Sequence, residues 1–203
     1  HVGNVMSYFR VFRHIFIVFI MAAFSVGFAS QQALAAGLTP ASPQPGAGQM
    51  AQGLAVEYMM IDAFHVDDLE SAGKGKPGKP LMMLNWSMGS GPVLTHAEDE
   101  GVGARISGFI KFASAGTYQM KIKSNDGVRL SISGQVVIDD PDVHADKFSD
   151  VANVSVPSPG WYQVYLLYFE RRGTATLELH WQSPDGGNFE LVPAEAFAHT
   201  PKG

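Results

Sequence analysis

Residues 116–139 read GTYQMKIKSNDGVRLSISGQVVID, and this stretch decides the fold. Tyr118, Met120 and Ile122 alternate with Thr117, Gln119, Lys121 and Lys123, the period of a strand with one face in a core and the other in water. Ser124-Asn125-Asp126-Gly127 follows as a turn cluster, because Asn and Asp tolerate positive φ and Gly prefers it. Val128, Leu130 and Ile132 resume the alternation. Ser133-Gly134-Gln135 turns again, and Val136-Val137-Ile138 makes the next strand.

The same pattern extends in both directions. Upstream, Ile106, Gly108, Ile110 and Phe112 alternate with Ser107, Phe109 and Lys111, and Leu54, Val56, Tyr58 and Met60 alternate with Ala55, Glu57 and Met59. A short strand fits Leu81 to Trp86, between loops at 70–80 and 87–104. Downstream, an acidic loop runs from Asp139 to Asp150, followed by an edge strand over Val151 to Val156. Trp161 to Phe169 is apolar at nearly every position, which predicts a central strand buried on both faces. Ala175, Leu177, Leu179 and Trp181 alternate with Thr176, Glu178 and His180. Pro193 to Phe197 fits a brief helical turn. Beyond the N-terminal segment no helical period persists over 11 residues, so the fold class is all-β, an antiparallel sandwich or barrel.

Composition narrows the function. The chain has 203 residues, 46% hydrophobic and 16% charged, with 22 Gly and 12 Pro, which suits many turns around one core. A net charge of −5 argues against phosphate-backbone binding, so no nucleic acid is expected as a partner. The absence of Cys removes disulfides, Cys-ligated zinc and thiol chemistry. No H-E-x-x-H and no G-x-S-x-G occurs; Met88-Gly89-Ser90-Gly91 resembles the latter only superficially. No carboxylate pair is singled out for glycoside hydrolysis, and the expectation is a protein that is not an enzyme.

Residues 1–35 read as a helical signal peptide, with residues 1–5 upstream of its Met6. Arg10 and Arg13 form the basic start, Ile15 to Phe24 the apolar run, and Ala33-Leu34-Ala35 the small-residue cleavage site. The alternative is a retained anchor, but Ile15 to Phe28 falls short of the roughly 20 residues a spanning helix needs. Cleavage after Ala35 leaves 168 residues carrying −7. The expected location is secreted, or periplasmic and cell-envelope, with no membrane contact after cleavage. Residues 36–52 are Pro- and Gly-rich and read as a linker; the ordered domain spans 53–198.

The order of motifs resembles the PA14 domain, a β-sandwich family. Gly108-Phe109-Ile110 with Ala115-Gly116-Thr117-Tyr118, Ser124-Asn125-Asp126-Gly127-Val128-Arg129-Leu130, Gly134-Gln135-Val136-Val137-Ile138-Asp139, Gly160-Trp161-Tyr162, Tyr168-Phe169-Glu170 and Leu179-His180-Trp181 carry the resemblance, as does the opening Gly53 to Tyr58. It implies a PA14-type antiparallel β-sandwich. In the family's sugar-binding adhesins, two consecutive acidic residues joined by a cis peptide hold calcium, with an Asn and backbone carbonyls from a later loop. Asn125-Asp126 matches that pair, with an amide in place of the first carboxylate. The amide oxygen still ligates a hard cation, with one charge fewer and a lower affinity.

Three groups of residues are candidates for a site. Asn125-Asp126 reads either as a cation or sugar-hydroxyl site or as a plain hairpin turn. In the acidic run, Asp140, Asp142, His144 and Asp146 have the alternate spacing of a calcium loop but lack its Gly and Glu, so a solvated loop is the competing reading. Trp181 belongs in the core, Trp161 is ambiguous, and Trp86 is the Trp expected to be exposed for stacking on sugar. Arg129 is expected to pair with a carboxylate, Glu170. The site predicted is thus Asn125, Asp126 and Trp86 for carbohydrate, with Asn125, Asp126, Asp140 and Asp142 for calcium. The function predicted is an exported, lectin-like module for a glycan or cell-surface polysaccharide. The alternative is a structural or protein-interaction domain of the envelope without sugar or metal.

Overall fold

The computed structural model describes residues 37–87 and 89–201. The signal-peptide reading of residues 1–35 lies outside them. The strands are β1 (Ala51–Gln52), β2 (Ala55–Met60), β3 (Lys76–Pro77), β4 (Asn85–Ser87), β5 (Val102–Phe112), β6 (Gly116–Asn125), β7 (Val128–Ile132), β8 (Gln135–Asp140), β9 (Lys147–Phe148), β10 (Ala152–Val156), β11 (Gly160–Glu170), β12 (Thr176–Gln182), β13 (Glu190–Leu191) and β14 (Phe197–His199). Among the described residues one α-helix, α1 (Asp67–Ser71), lies between β2 and β3.

Two antiparallel sheets face each other, as the alternation requires. The larger runs β1-β14-β5-β11-β7-β8, with β2 beside β5 and β3 beside β2. The smaller runs β10-β6-β12-β13, with β4 beside β12 and β9 beside β6. Between them lies one core, to which β6 contributes Tyr118, Met120 and Ile122, β7 Val128, Leu130 and Ile132, and β12 Leu177, Leu179 and Trp181. Rings of Phe112, Tyr118, Tyr162 and Trp181 pack at centroid separations of 4.7–5.8 Å. Trp181 therefore sits where the sequence placed it.

The strand β11 is buried on both faces only over its second half. Tyr162, Val164, Leu166 and Tyr168 face the main core, while Leu167 and Phe169 face outward under Ala63, Val66 and Leu69. Earlier in the strand, Gln163 and Tyr165 are exposed. The cover is the segment around α1, a helix too short to leave a periodic signature. Asp68 Oδ2 accepts the N–H groups of Phe64 and His65 at 2.9 and 3.1 Å, and Arg105 donates to the carbonyls of Leu69 and Ala72. Those bonds hold the segment against the sheet.

Arg129 pairs with Asp139 at 2.8 Å and Asp67 at 2.5 Å, not with Glu170. The reason is pleat: Arg129 points to the outer face of β7, opposite the buried Val128 and Leu130, whereas Glu170 is fully buried. On the outer face of the smaller sheet the Lys121 ammonium sits 4.1 Å from the Phe148 ring centre and 4.4 Å from that of Phe189.

The stretch read as a linker is not free. Leu38 is 4% exposed within the main core, and its N–H donates to Ser155 O at 2.8 Å. Ala41 N–H donates to Trp161 O, while Gln44 both accepts from Trp161 N–H at 2.7 Å and donates to Trp161 O at 2.9 Å. Pro and Gly here encode an extended strap without a backbone ladder of its own, so its backbone hydrogen bonds go to the sheets, with one internal bond from Gln44 Nε2 to Ala41 O at 2.7 Å. Leu38→Ala should accordingly destabilise the domain by about 2–4 kcal/mol, as for other buried leucines. Urea unfolding checks this; an unchanged midpoint would return residues 37–45 to the status of a loose leader.

Candidate functional site

One end of the sandwich gathers the turn 125–127, the loop 139–146, the turn 170–175 and the segment 61–66. Its centre is Asn125-Asp126, where the peptide bond is cis, as in the pair that the resemblance implied. Both residues are buried, at 8% and 3% exposure. Asn125 O accepts the Tyr168 hydroxyl at 2.6 Å, and Asp126 N–H donates to Phe169 O at 3.1 Å. Gly127 follows where a Cβ would come within 2.5 Å of Pro141 O and of the Phe169 ring, so only glycine lets the loops close.

The two side chains point to different loops. Asp126 accepts His144 N–H at 3.0 Å on one oxygen and Arg171 N–H at 2.9 Å on the other. Asn125 Nδ2 donates to Asp146 Oδ1 at 3.0 Å and to Thr174 Oγ1 at 2.9 Å. Asp146 also accepts from the hydroxyls of Thr174 at 3.0 Å and Thr176 at 2.8 Å, with Lys123 Nζ at 3.5 Å. Burial works to raise the Asp146 carboxyl, but the hydrogen bonds from Asn125, Thr176 and Thr174, aided by the Lys123 charge, outweigh it and hold the group below its ordinary value.

The remaining predicted residues stand elsewhere. Asp140 faces Lys147 at 2.9 Å and His144 at 3.3 Å. Asp142 is exposed, and its backbone bridges to that of His65. The set Asn125, Asp126, Asp140 and Asp142 is therefore not brought together, and among the described residues no three His, Cys, Asp or Glu side chains converge as a metal cluster. The carboxylate that reaches Asn125 is Asp146, because the loop folds back and carries it to β6 and β12. Trp86 is half-buried against the core, with its indole N–H donating to Pro92 O at 3.2 Å, instead of standing free for stacking. Thr174 and Thr176 carried no sequence signal of a site: they read as ordinary turn and strand residues.

Beneath the rim lies Glu170, fully buried with neither carboxylate oxygen hydrogen-bonded. Burial, then the negative charges of Asp126, Glu100 and Asp99, push its carboxyl up to about 7. Its pattern position, at the end of an apolar strand, gives no hint of this isolation.

A two-sheet antiparallel sandwich with polar loops gathered at one end defines a class of all-β modules that present loops on a rigid frame. The chain belongs to the PA14 domain family, whose sequence profile matches residues 85–194, more than half of its length. Among solved structures it is similar to the PA14 domain of the MpAFP antifreeze protein (TM-score 0.64, 15% identity, 81% of this chain and 98% of that one). It is also similar to a PA14 sugar-binding domain from an RTX adhesin (0.58, 18%, 73% and 99%). A third is the epithelial adhesin 9 A domain of Candida glabrata in complex with Galβ1-4GlcNAc (0.61, 11%, 81% and 97%). At these identities the likeness is one of fold. No curated protein matches the chain.

The buried Glu170 sets a pH dependence. Between its ordinary value of 4.5 and about 7 the folded protein holds a proton that the unfolded chain has released, so stability falls as pH rises through that window. In chelator-treated protein, thermal melts from pH 5 to pH 8 should show Glu170→Gln gaining on the wild type as pH rises. A difference independent of pH would contradict the assignment.

Proposed function

We propose that this domain is an exported, non-catalytic carbohydrate-binding module whose ligand docks on the loop end around Asn125, Asp126, Asp146 and Thr174, assisted by calcium. The observation that carries the reading is the convergence of amide, carboxylate and hydroxyl groups from three loops at that end. Sugar hydroxyls and hard cations both seek such oxygens. The PA14 sugar-binding domain of the RTX adhesin and the adhesin A domain in complex with Galβ1-4GlcNAc, both similar in fold, support it. Among the described residues no helix is long and apolar enough to cross a membrane.

The donor set suits calcium in kind and is poor in charge. Rotation of the Asn125 amide exchanges Nδ2 for Oδ1 and presents an oxygen beside Asp146, Thr174 and Thr176. Asp126 already has both oxygens on backbone N–H groups, which leaves Asp146 as the principal anion, opposed by Lys123. Weak calcium binding follows, and weak glycan binding with it, because polar groups on both sides must be desolvated.

A second reading is a structural or protein-interaction module of the envelope without sugar or metal. The observation in its favour is that Asn125 Nδ2 already satisfies Asp146 and Thr174, closing the network without a cation. A glycan array with and without chelator, alongside calcium-dependent melting, separates the two. The carbohydrate reading expects glycan retention that falls with chelator and stabilisation of about 2.7 kcal/mol at calcium a hundredfold above its Kd. Asn125→Asp should restore a charge and tighten calcium binding by tenfold or more. No retained glycan and a melting curve indifferent to calcium would leave the structural module.

A further inference from the structure

We infer that Phe64, flanked by Asp62 and Arg171, is a stacking subsite for the apolar face of a pyranose ring; this rests on the carbohydrate reading of the loop end. Phe64 is 60% exposed, whereas Ala63, Val66 and Leu69 on the same segment are buried against Leu167 and Phe169. The segment is thus anchored without Phe64. A large aromatic side chain held in water beside a polar loop cluster is the common form of a recognition residue.

The ring is fixed in place. Its backbone N–H is held by Asp68 Oδ2, and the Arg171 guanidinium lies 4.0 Å from the ring centre. Arg171 is itself pinned: its N–H donates to Asp126 Oδ2, its carbonyl accepts from Gly101 N–H at 3.1 Å, and its Nε lies 3.0 Å from Asp62 Oδ1. Little side-chain freedom remains to be lost on binding, which favours affinity in a shallow site.

The chemistry points to a sugar. A pyranose presents C–H groups on one face and hydroxyls around its edge. The Phe64 ring carries the Arg171 guanidinium over one face and, at 60% exposure, still offers apolar surface to the C–H groups. The Asp62 carboxylate, 56% exposed, accepts from hydroxyls, and the Arg171 guanidinium donates to them. A purely apolar partner side chain would desolvate this ion pair without replacing its water. The segment also abuts the loop of Asp140 and Asp146: Val66 N–H donates to Pro141 O at 3.0 Å, and His65 bridges to Asp142. Phe64 therefore takes the stacking role that the sequence assigned to Trp86.

The test uses the full chain and a glycan that the wild type retains on the array. Phe64→Ala should weaken its binding about tenfold or more by calorimetry, with the melting temperature unchanged. Phe64→Trp should keep the affinity, and its fluorescence emission should shift on titration. Wild-type affinity in Phe64→Ala, or no emission change in Phe64→Trp at saturating glycan, would overturn the subsite and leave the carbohydrate reading standing. If Phe64→Ala also lowers the melting temperature, the emission result decides. Retention of no glycan by the wild type would remove both.

Discussion

The carboxylate of Asp126 is the constraint on which the loop end depends. It is buried and accepts one backbone N–H from each of two loops, at His144 and Arg171, which also meet where the Thr174 hydroxyl donates to Asp146. A buried carboxylate left unpaired is costly, so both bonds are favoured, and removing Asp126 would take the partner from both loops at once. Asn125 does the same for Asp146 and Thr174 through its side-chain amide. Two adjacent residues of one turn thereby fix the geometry of the loops around them, while the sheets beneath supply rigidity. The arrangement separates duties: the core keeps the frame, and the turn keeps the loops in register.

Most of the frame was legible in the sequence because alternation is a local signal. β6, β7 and β12 follow directly from residues spaced two apart. β11 was harder, since apolar side chains on both faces say that something covers the second face but not what. Here Ala63, Val66 and Leu69 cover it, and a five-residue helix is too short to announce itself. The strap over residues 37–45 was misread for a related reason. Proline and glycine mark a chain without a backbone ladder of its own, which describes a tether and a docked strap equally; only the sheets' free groups at Ser155 and Trp161 tell them apart.

At the loop end, the turn Ser124 to Gly127 pointed to the centre, and the structure places Asn125 and Asp126 there. The partners did not follow. An acidic run offers several carboxylates, and which one turns inward depends on the path of the loop, a property of tertiary packing. Asp146 reaches Asn125, Asp140 is taken by Lys147 and His144, and Asp142 stays outside. Phe64 was invisible and Glu170 was misassigned as the partner of Arg129, for opposite reasons. One is an apolar residue that the fold leaves out, the other a charged residue that the fold takes in, and both run against the pattern that makes strands readable.

The lysine lodged between Phe148 and Phe189 has a consequence for how such molecules behave in a crowd. Two bare rings on the flank of a sheet would invite a neighbour to stick there, side against side. With an ammonium between them, that flank is wetted and carries a like charge on every copy.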